Sequence, residues 1–188
     1  MIELSEGQSA IFGYGSLLSI ASLERTLGRV YSGVFLPCSI AGWRRTWDAA
    51  MPNRTFYTET SEGRLYPETI LYLNVRRDPG QSLNGTLFVV DARELALYDE
   101  RESIYDRVDV TADLDVRVAG GSAYVYVCRP EHCRGDVASP QNGAIRSSYL
   151  AIVETGLTQL GPEFRDLYER STDPAPSRLV IQDRLDPQ

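Results

Sequence analysis

Lysine is absent from this 188-residue chain, in which all 19 basic side chains are arginine. Its absence excludes Schiff-base chemistry, lysine nucleophiles and the phosphate-binding P-loop, which ends in Gly-Lys-Ser/Thr. Histidine is almost absent too, because His132 is the single one in the sequence. Any Ser-His-Asp or Cys-His mechanism would depend on that residue, so most hydrolase templates are disfavoured.

The 26 acidic side chains outnumber the 19 basic ones, which gives a formal net charge of -7. We therefore expect neither nucleic acid nor an anionic membrane surface as a partner. No apolar run approaches the roughly 18 residues that span a bilayer, and residues 1–10 do not resemble a secretion signal. With only three cysteines, which we expect to stay reduced, the sequence predicts a cytoplasmic protein.

Period-two patterns and turn residues predict a β-rich protein. The candidate strands cover residues 9–12, 31–40, 43–47, 69–75, 84–90, 104–110 and 123–128, and Asp78-Pro79-Gly80 is predicted to be a turn. We expect one domain over residues 1–170, followed by a linker and tail over residues 171–188.

Helices are predicted at four places. One follows the glycine-bearing segment at Ser16 and stops at Gly28, and another starts at a capping box formed by Asp91 and Glu94. The clearest carries an apolar stripe from Ile145 to Leu160 and ends before Gly161-Pro162, where a last helix begins.

The turn Gly13-Tyr14-Gly15-Ser16 joins a predicted strand to a predicted helix. Leu18 stands where a dinucleotide-binding motif needs its third glycine, and the residues around Ser16 do not form a Gly-x-Ser-x-Gly elbow. A glycine-bearing turn exposes backbone N–H groups, which suit a carboxylate or a developing oxyanion. A plain structural turn remains the alternative.

Two other groups of residues invite a functional interpretation. Cys128, His132 and Cys133 are close in sequence, but three candidates without a paired C-x-x-C motif do not predict a metal site. The period-two set Trp43, Arg45 and Trp47 favours core packing. Lining a pocket, or cation-π stacking of the arginine on the indoles, is the alternative.

Glu102 ends the charged run Tyr98-Asp99-Glu100-Arg101-Glu102 and is followed at once by a turn into a strand. A carboxylate pulled toward the interior at this point would have a raised pKa and could transfer protons near neutrality. The alternative is a solvated helix end, as charged runs usually are.

Three segments, taken in order, resemble the gamma-glutamylcyclotransferase-like (AIG2-like) proteins. They are Phe12-Gly13-Tyr14-Gly15-Ser16-Leu17, then Gly85-Thr86-Leu87-Phe88-Val89-Val90 with Tyr98-Asp99, Glu102 and Tyr105, and finally Ser148-Tyr149-Leu150. The resemblance implies an α+β fold, a small mixed β-barrel flanked by helices. It also implies an enzyme that needs no cofactor.

The chemistry implied by the resemblance is the cyclisation of a small γ-glutamyl amine or γ-glutamyl amino acid to 5-oxoproline, with release of the amine. By position, Glu102 matches the acid/base residue of the family. Tyr14, Gly15, Ser16 and Leu17 match its substrate-binding loop, and Tyr149 matches a tyrosine near the glutamyl group. Two alternatives stay open, a non-catalytic binding module on the same fold and an amidohydrolase-type relative. The leaving amine and the oligomeric state are left open.

Overall fold

The computed structural model describes residues 1–186. It contains twelve β-strands, four α-helices and four short 3-10 helices. The strands are β1 Ile2–Glu3, β2 Gln8–Gly13, β3 Phe35–Pro52, β4 Phe56–Thr60, β5 Gly63–Leu65, β6 Thr69–Asp91, β7 Tyr105–Asp109, β8 Val118–Ala119, β9 Ala123–Cys128, β10 Ile145–Arg146, β11 Val180–Ile181 and β12 Arg184–Leu185. The α-helices are α1 Ile20–Leu27, α2 Ala92–Arg101, α3 Ser147–Leu160 and α4 Pro162–Arg170.

A curled five-stranded sheet forms a half-barrel at the centre of the protein, with strand order β3-β6-β2-β9-β7. The sheet is mixed, because β2 and β9 run parallel while the other neighbours run antiparallel. The inner side chains of β2, β6 and β9 are almost all buried, so the sheet carries most of the core. These observations confirm the predicted α+β class.

The longest elements, β3 and β6, each merge two strands that the sequence predicted separately. The predicted turn at Asp78-Pro79-Gly80 is wrong, because β6 continues through it. Pairing passes from Ala41↔Ser82 to Trp43↔Arg77, so residues 78–81 lie opposite Gly42 as a bulge. Gly42 has φ 80°, a conformation that favours glycine. Pairing on both sides of the bulge holds the two halves of each strand in one ladder.

The helix α2 begins with the predicted capping box. The carboxylate of Asp91 accepts a hydrogen bond from the backbone N–H of Glu94 at 2.8 Å, and the carboxylate of Glu94 accepts one from the backbone N–H of Asp91 at 3.2 Å. This cap fixes where the helix starts. Ten residues later the helix ends, and Glu102 is its C-terminal cap.

The turn after β2 is followed by a 3-10 helix over Ser16–Leu18 and then by α1. The predicted stop is confirmed, because Gly28 caps α1 in the left-handed conformation with φ 66°. The helix α3 packs closely on this turn. A Cβ atom on Gly156 would lie 2.7 Å from backbone atoms of Leu18, so the missing side chain permits the contact. That contact brings α3 against the glycine-bearing turn.

Residues 171–186 pack against the domain. Val180 and Ile181 of β11 pair with β10, Arg184 and Leu185 of β12 pair with β4, and Leu179 is buried. The division of the chain at residue 170 stays a prediction. Within residues 1–186, no helix is long and apolar enough to cross a membrane.

Candidate active site

A cavity of about 370 Å³ opens between the turn after β2, the end of α2 and the start of α3. We call it the Glu102 cavity. The side chains that line it include Ser16, Met51, Tyr72, Arg101, Glu102 and Tyr149. A small recess of about 30 Å³ adjoins it and is lined by residues 12–17. Cavity and recess share Ser16, Glu102, Tyr105 and Tyr149, so the three sequence segments of the resemblance meet at one place.

The turn contributes its backbone more than its side chains. Tyr14 is buried and its hydroxyl donates a hydrogen bond to the carbonyl of Tyr126 at 2.7 Å, and Leu17 is buried too. The hydrogen bonds of residues 1–186 include none donated by the backbone N–H groups of Gly15, Ser16 or Leu17. The recess therefore has polar N–H groups available to an anionic ligand.

Glu102 lies at the junction of the cavity and the recess. Its side chain is 17% exposed, and desolvation raises the pKa of its carboxyl group above the ordinary glutamate value. The nearby charge of Arg101 opposes that increase. A carboxylate whose pKa is raised by burial holds a proton more readily than an exposed one, and it is therefore suited to take up and return a proton. The raised pKa predicted from the sequence is confirmed.

Arg101 anchors Glu102 to the turn and to α1. Its Nε lies 3.1 Å from Oε1 of Glu102, and its Nη2 donates to Oγ of Ser16 at 2.9 Å. Further donations go to Oγ of Ser22 at 3.2 Å and to Oγ1 of Thr26. Because these partners belong to the turn and to α1, the guanidinium holds the carboxylate in place relative to both.

Tyr149 projects from the first turn of α3 into both the cavity and the recess. A Cβ atom on Gly15 would lie 2.7 Å from its hydroxyl oxygen, so glycine is the residue that leaves room for it. The ring meets Trp47 and Tyr72 edge to face, with centroid distances of 6.2 and 5.0 Å. Desolvation raises the pKa of the hydroxyl, which therefore stays protonated and can donate a hydrogen bond.

The other carboxylates of the charged run lie elsewhere. Asp99 pairs with Arg107 at 2.8 Å and accepts a hydrogen bond from the hydroxyl of Tyr126 at 2.8 Å. Glu100 is exposed on α2 and does not line the cavity. Glu102 is therefore the carboxylate of this run that faces the turn.

Sequence reasoning assigned no role in the site to several side chains that line the cavity. Tyr105 donates from its hydroxyl to the carbonyl of Leu73 at 2.9 Å, and Arg146 donates from Nη2 to the hydroxyl of Tyr72 at 3.3 Å. Nε of Arg146 is buried and has no hydrogen-bond partner among the described residues. The charged run contained Arg101, but no local pattern indicated Tyr72 or Arg146. Their places depend on pairing between distant strands.

The two remaining sequence candidates lie outside the Glu102 cavity. Among residues 1–186, no group of three His, Cys, Asp or Glu side chains is arranged to hold a metal ion. Trp43 and Arg45 are buried, in agreement with the packing interpretation, whereas Trp47 is half-buried and lines a separate cavity of about 560 Å³, in agreement with the alternative. Stacking of Arg45 on the indoles is wrong, because its guanidinium lies 4.0 Å from the ring centroid of Tyr168.

No family model matches this sequence, and no curated protein matches it. Solved structures match over most of the chain. The uncharacterized human protein loc79017 gives a TM-score of 0.58 at 14% identity and covers 91% of both chains. A structure described as a gamma-glutamyl cyclotransferase gives 0.56 at 14% identity, over 93% of this chain and 94% of its own. A yeast gamma-glutamyl cyclotransferase specific to glutathione gives 0.51 at 15% identity, over 87% and 95%. The chain therefore has the fold of the gamma-glutamyl cyclotransferases, as its sequence motifs predicted.

Proposed function

We propose that the protein cyclises a small γ-glutamyl compound to 5-oxoproline and releases the amine. One observation carries the proposal, namely that Glu102, with its raised pKa, lines the same recess as the unpaired N–H groups of residues 15–17. A base and an anion site that line the same recess fit a γ-glutamyl group, which brings its own amine and carboxylate. The shared fold with gamma-glutamyl cyclotransferases supports the same reaction.

In the proposed reaction, the unprotonated α-amine of the γ-glutamyl group attacks the side-chain amide carbonyl and forms a C–N bond that closes a five-membered ring. The carboxylate of Glu102 takes the proton that the amine nitrogen loses as this bond forms. When the original amide C–N bond breaks, Glu102 returns the proton to the leaving amine. No water is consumed, and atoms and charge balance with one residue acting as base and then as acid.

The rest of the site holds the substrate in a bent conformation. The N–H groups of residues 15–17 bind the α-carboxylate or the developing oxyanion, and the hydroxyl of Tyr149 donates a hydrogen bond beside them. Ring closure within one molecule gains much of its rate from such positioning. We expect the protein to act mainly by holding the substrate in one conformation next to Glu102, which transfers the proton.

A panel of γ-glutamyl amino acids and γ-glutamyl amines, incubated with the protein and analysed by mass spectrometry, tests this function. We expect 5-oxoproline and the free amine in equal amounts. Free glutamate would instead indicate an amidohydrolase, because it contains one added water. Saturable binding without turnover of any compound would indicate a non-catalytic binding module.

The variant Tyr149→Phe tests the polar role of this residue, since it keeps the ring that packs on Trp47 and Tyr72 and removes one hydroxyl. Loss of one hydrogen bond to a charged or developing negative group corresponds to a roughly 10-fold lower kcat/KM. The thermal midpoint should change little. Wild-type kcat/KM toward every substrate of the panel would show that the tyrosine serves packing alone.

The pH dependence of kcat/KM should report Glu102 in the free enzyme. The reaction needs its carboxylate form, and the raised pKa therefore places the acid limb above pH 4.5, the ordinary value for glutamate. Because the charge of Arg101 lowers this pKa, Arg101→Gln should move the acid limb to higher pH. Arg25→Gln removes another arginine of the same cavity and serves as the matched control. An acid limb that does not move in Arg101→Gln would contradict the assignment of the limb to Glu102.

A further inference from the structure

Arg45, in the middle of β3, is a fully buried charge that the proposed reaction does not use. Among residues 1–186 it forms no ion pair with a carboxylate. Its N–H groups donate to uncharged oxygens instead. Nε donates to the carbonyl of Tyr14 at 2.8 Å. Nη1 donates to Oγ1 of Thr172 at 2.8 Å, to Oγ of Ser171 at 3.0 Å and to the carbonyl of Tyr168 at 3.4 Å. Nη2 donates to the carbonyl of Asn84 and to its Oδ1 at 3.2 Å.

The guanidinium keeps its charge in this environment. Burial lowers the pKa of Arg45 to about 10, so the side chain is still protonated at neutral pH. The ring face of Tyr168 gives partial compensation through a cation-π contact. Burying a cation without an anionic partner is unfavourable. We therefore infer that the charge or the hydrogen-bond donors of Arg45 have a role that an apolar side chain of similar volume could not fill.

The hydrogen bond to Tyr14 fixes the direction of one peptide group in the substrate-binding turn. The peptide between Tyr14 and Gly15 is trans, so its carbonyl and its N–H point to opposite sides. Because the carbonyl of Tyr14 points at Nε of Arg45, the N–H of Gly15 points away from Arg45, and Gly15 is one of the residues that line the recess. This N–H has no acceptor among the described residues.

We propose that Arg45 is a positioning residue that aims and polarises the Gly15 N–H so that it binds the α-carboxylate of the γ-glutamyl group. The arginine does not touch the substrate and acts through the Tyr14–Gly15 peptide. A cation behind the carbonyl draws electron density toward it and makes the N–H at the other end a better donor. The kinetic part of this proposal rests on the proposed function, whereas the ligand-binding part does not.

The variant Arg45→Lys tests the proposal. Lysine keeps the charge, but its single ammonium cannot reproduce the planar fork that reaches Tyr14, Asn84 and Ser171 together. The carboxylate contact is present in both substrate and transition state, so we expect about a 10-fold higher KM with kcat unchanged. A merely less stable variant would show fewer active molecules, hence a lower kcat at unchanged KM. Arg44→Gln is the matched control, because Arg44 is a half-exposed neighbour that pairs with Asp78 and Asp173.

Binding of 5-oxoproline itself, followed by amide NMR of the full-length protein, provides a readout that does not need turnover. In the wild type, the Gly15 amide resonance should shift on titration with 5-oxoproline, and in Arg45→Lys the dissociation constant should rise about 10-fold. Wild-type affinity, with a wild-type Gly15 shift, in folded Arg45→Lys would overturn the proposal. If the wild type binds 5-oxoproline at Gly15 but makes none, the proposed function fails and the role of Arg45 stands.

A second variant keeps the test decisive if Arg45→Lys does not fold. Asn84→Asp leaves the arginine in place and sets a carboxylate against Nη2, which compensates the charge. It also removes the hydrogen bond from Nδ2 of Asn84 to the carbonyl of Phe164, so the thermal midpoint is measured alongside binding. We expect weaker binding of 5-oxoproline by about fivefold or more, since the Gly15 N–H loses its polarisation. Unchanged affinity in folded Asn84→Asp would overturn the proposal.

Discussion

Glu102→Gln should fold normally and lose about 100-fold or more in turnover, the usual scale for general acid-base catalysis. Glutamine keeps the shape of the side chain and can still accept a hydrogen bond from Nε of Arg101, but it cannot take up a proton. No other carboxylate of the charged run faces the recess, since Asp99 is engaged by Arg107 and Glu100 is exposed. Mass-spectrometric rates of 5-oxoproline formation measure the loss.

Asp99→Asn and Glu100→Gln are the matched controls for charge removal on the same helix. Both should keep kcat/KM within a few-fold of the wild type, because neither side chain lines the Glu102 cavity. A folded Glu102→Gln variant that makes 5-oxoproline at the wild-type rate would falsify the acid/base assignment and most of the mechanism. Equal losses in all three variants would point to a disrupted helix end instead.

Thermal unfolding at two pH values tests whether the carboxyl group of Glu102 affects the stability of the folded protein in the direction that its raised pKa implies. The pKa of Glu102 is raised in the folded state, so the folded protein binds the proton more tightly than the unfolded chain does. The stability linked to this group is therefore present at low pH and is lost as pH rises through the folded pKa. Relative to wild type, Glu102→Gln should therefore gain stability as the pH rises above 4.5, the ordinary value for glutamate, as measured by the thermal midpoint.

Elements whose signals are local could be predicted from the sequence. The capping box of Asp91 and Glu94, the left-handed cap at Gly28 and the stop at Gly161-Pro162 each depend on a few neighbouring residues, and the structure has all three features at those positions. The raised pKa of Glu102 was predicted from the turn into a strand that follows it, but its cause is desolvation, which depends on the packing of distant segments around the carboxyl group.

Features that depend on distant pairing could not be predicted. The residues Asp78-Pro79-Gly80 strongly predict a turn when read locally. In the structure they form a bulge within β6, because β6 pairs with β3 on both sides of them. The partners of Arg45 come from three separate parts of the chain, so no spacing rule connects them. The same holds for Arg146 and Tyr72, which meet across 74 positions of sequence.

The contact between Gly15 and Tyr149 predicts the second large effect. In Gly15→Ala the new Cβ would lie 2.7 Å from the hydroxyl oxygen of Tyr149, well inside contact distance. The tyrosine ring is held edge to face by Trp47 and Tyr72, so the turn itself must move. A displacement of the order of 1 Å in a positioning element costs about 100-fold in rate, and overpacking costs about 1–3 kcal/mol of unfolding free energy.

A double-mutant cycle with Tyr149→Phe shows whether that contact is the cause. Phenylalanine removes the oxygen that the new methyl group meets, and the next nearest atom, Cδ1 of Leu73, lies at an acceptable 3.4 Å. Gly15→Ala/Tyr149→Phe should therefore recover most of the stability lost in Gly15→Ala, as measured by chemical denaturation. Gly135→Ala, where a Cβ meets nothing within 4 Å, should be close to neutral. If the double variant is no more stable than Gly15→Ala, the close approach of the tyrosine hydroxyl is not what requires glycine at position 15.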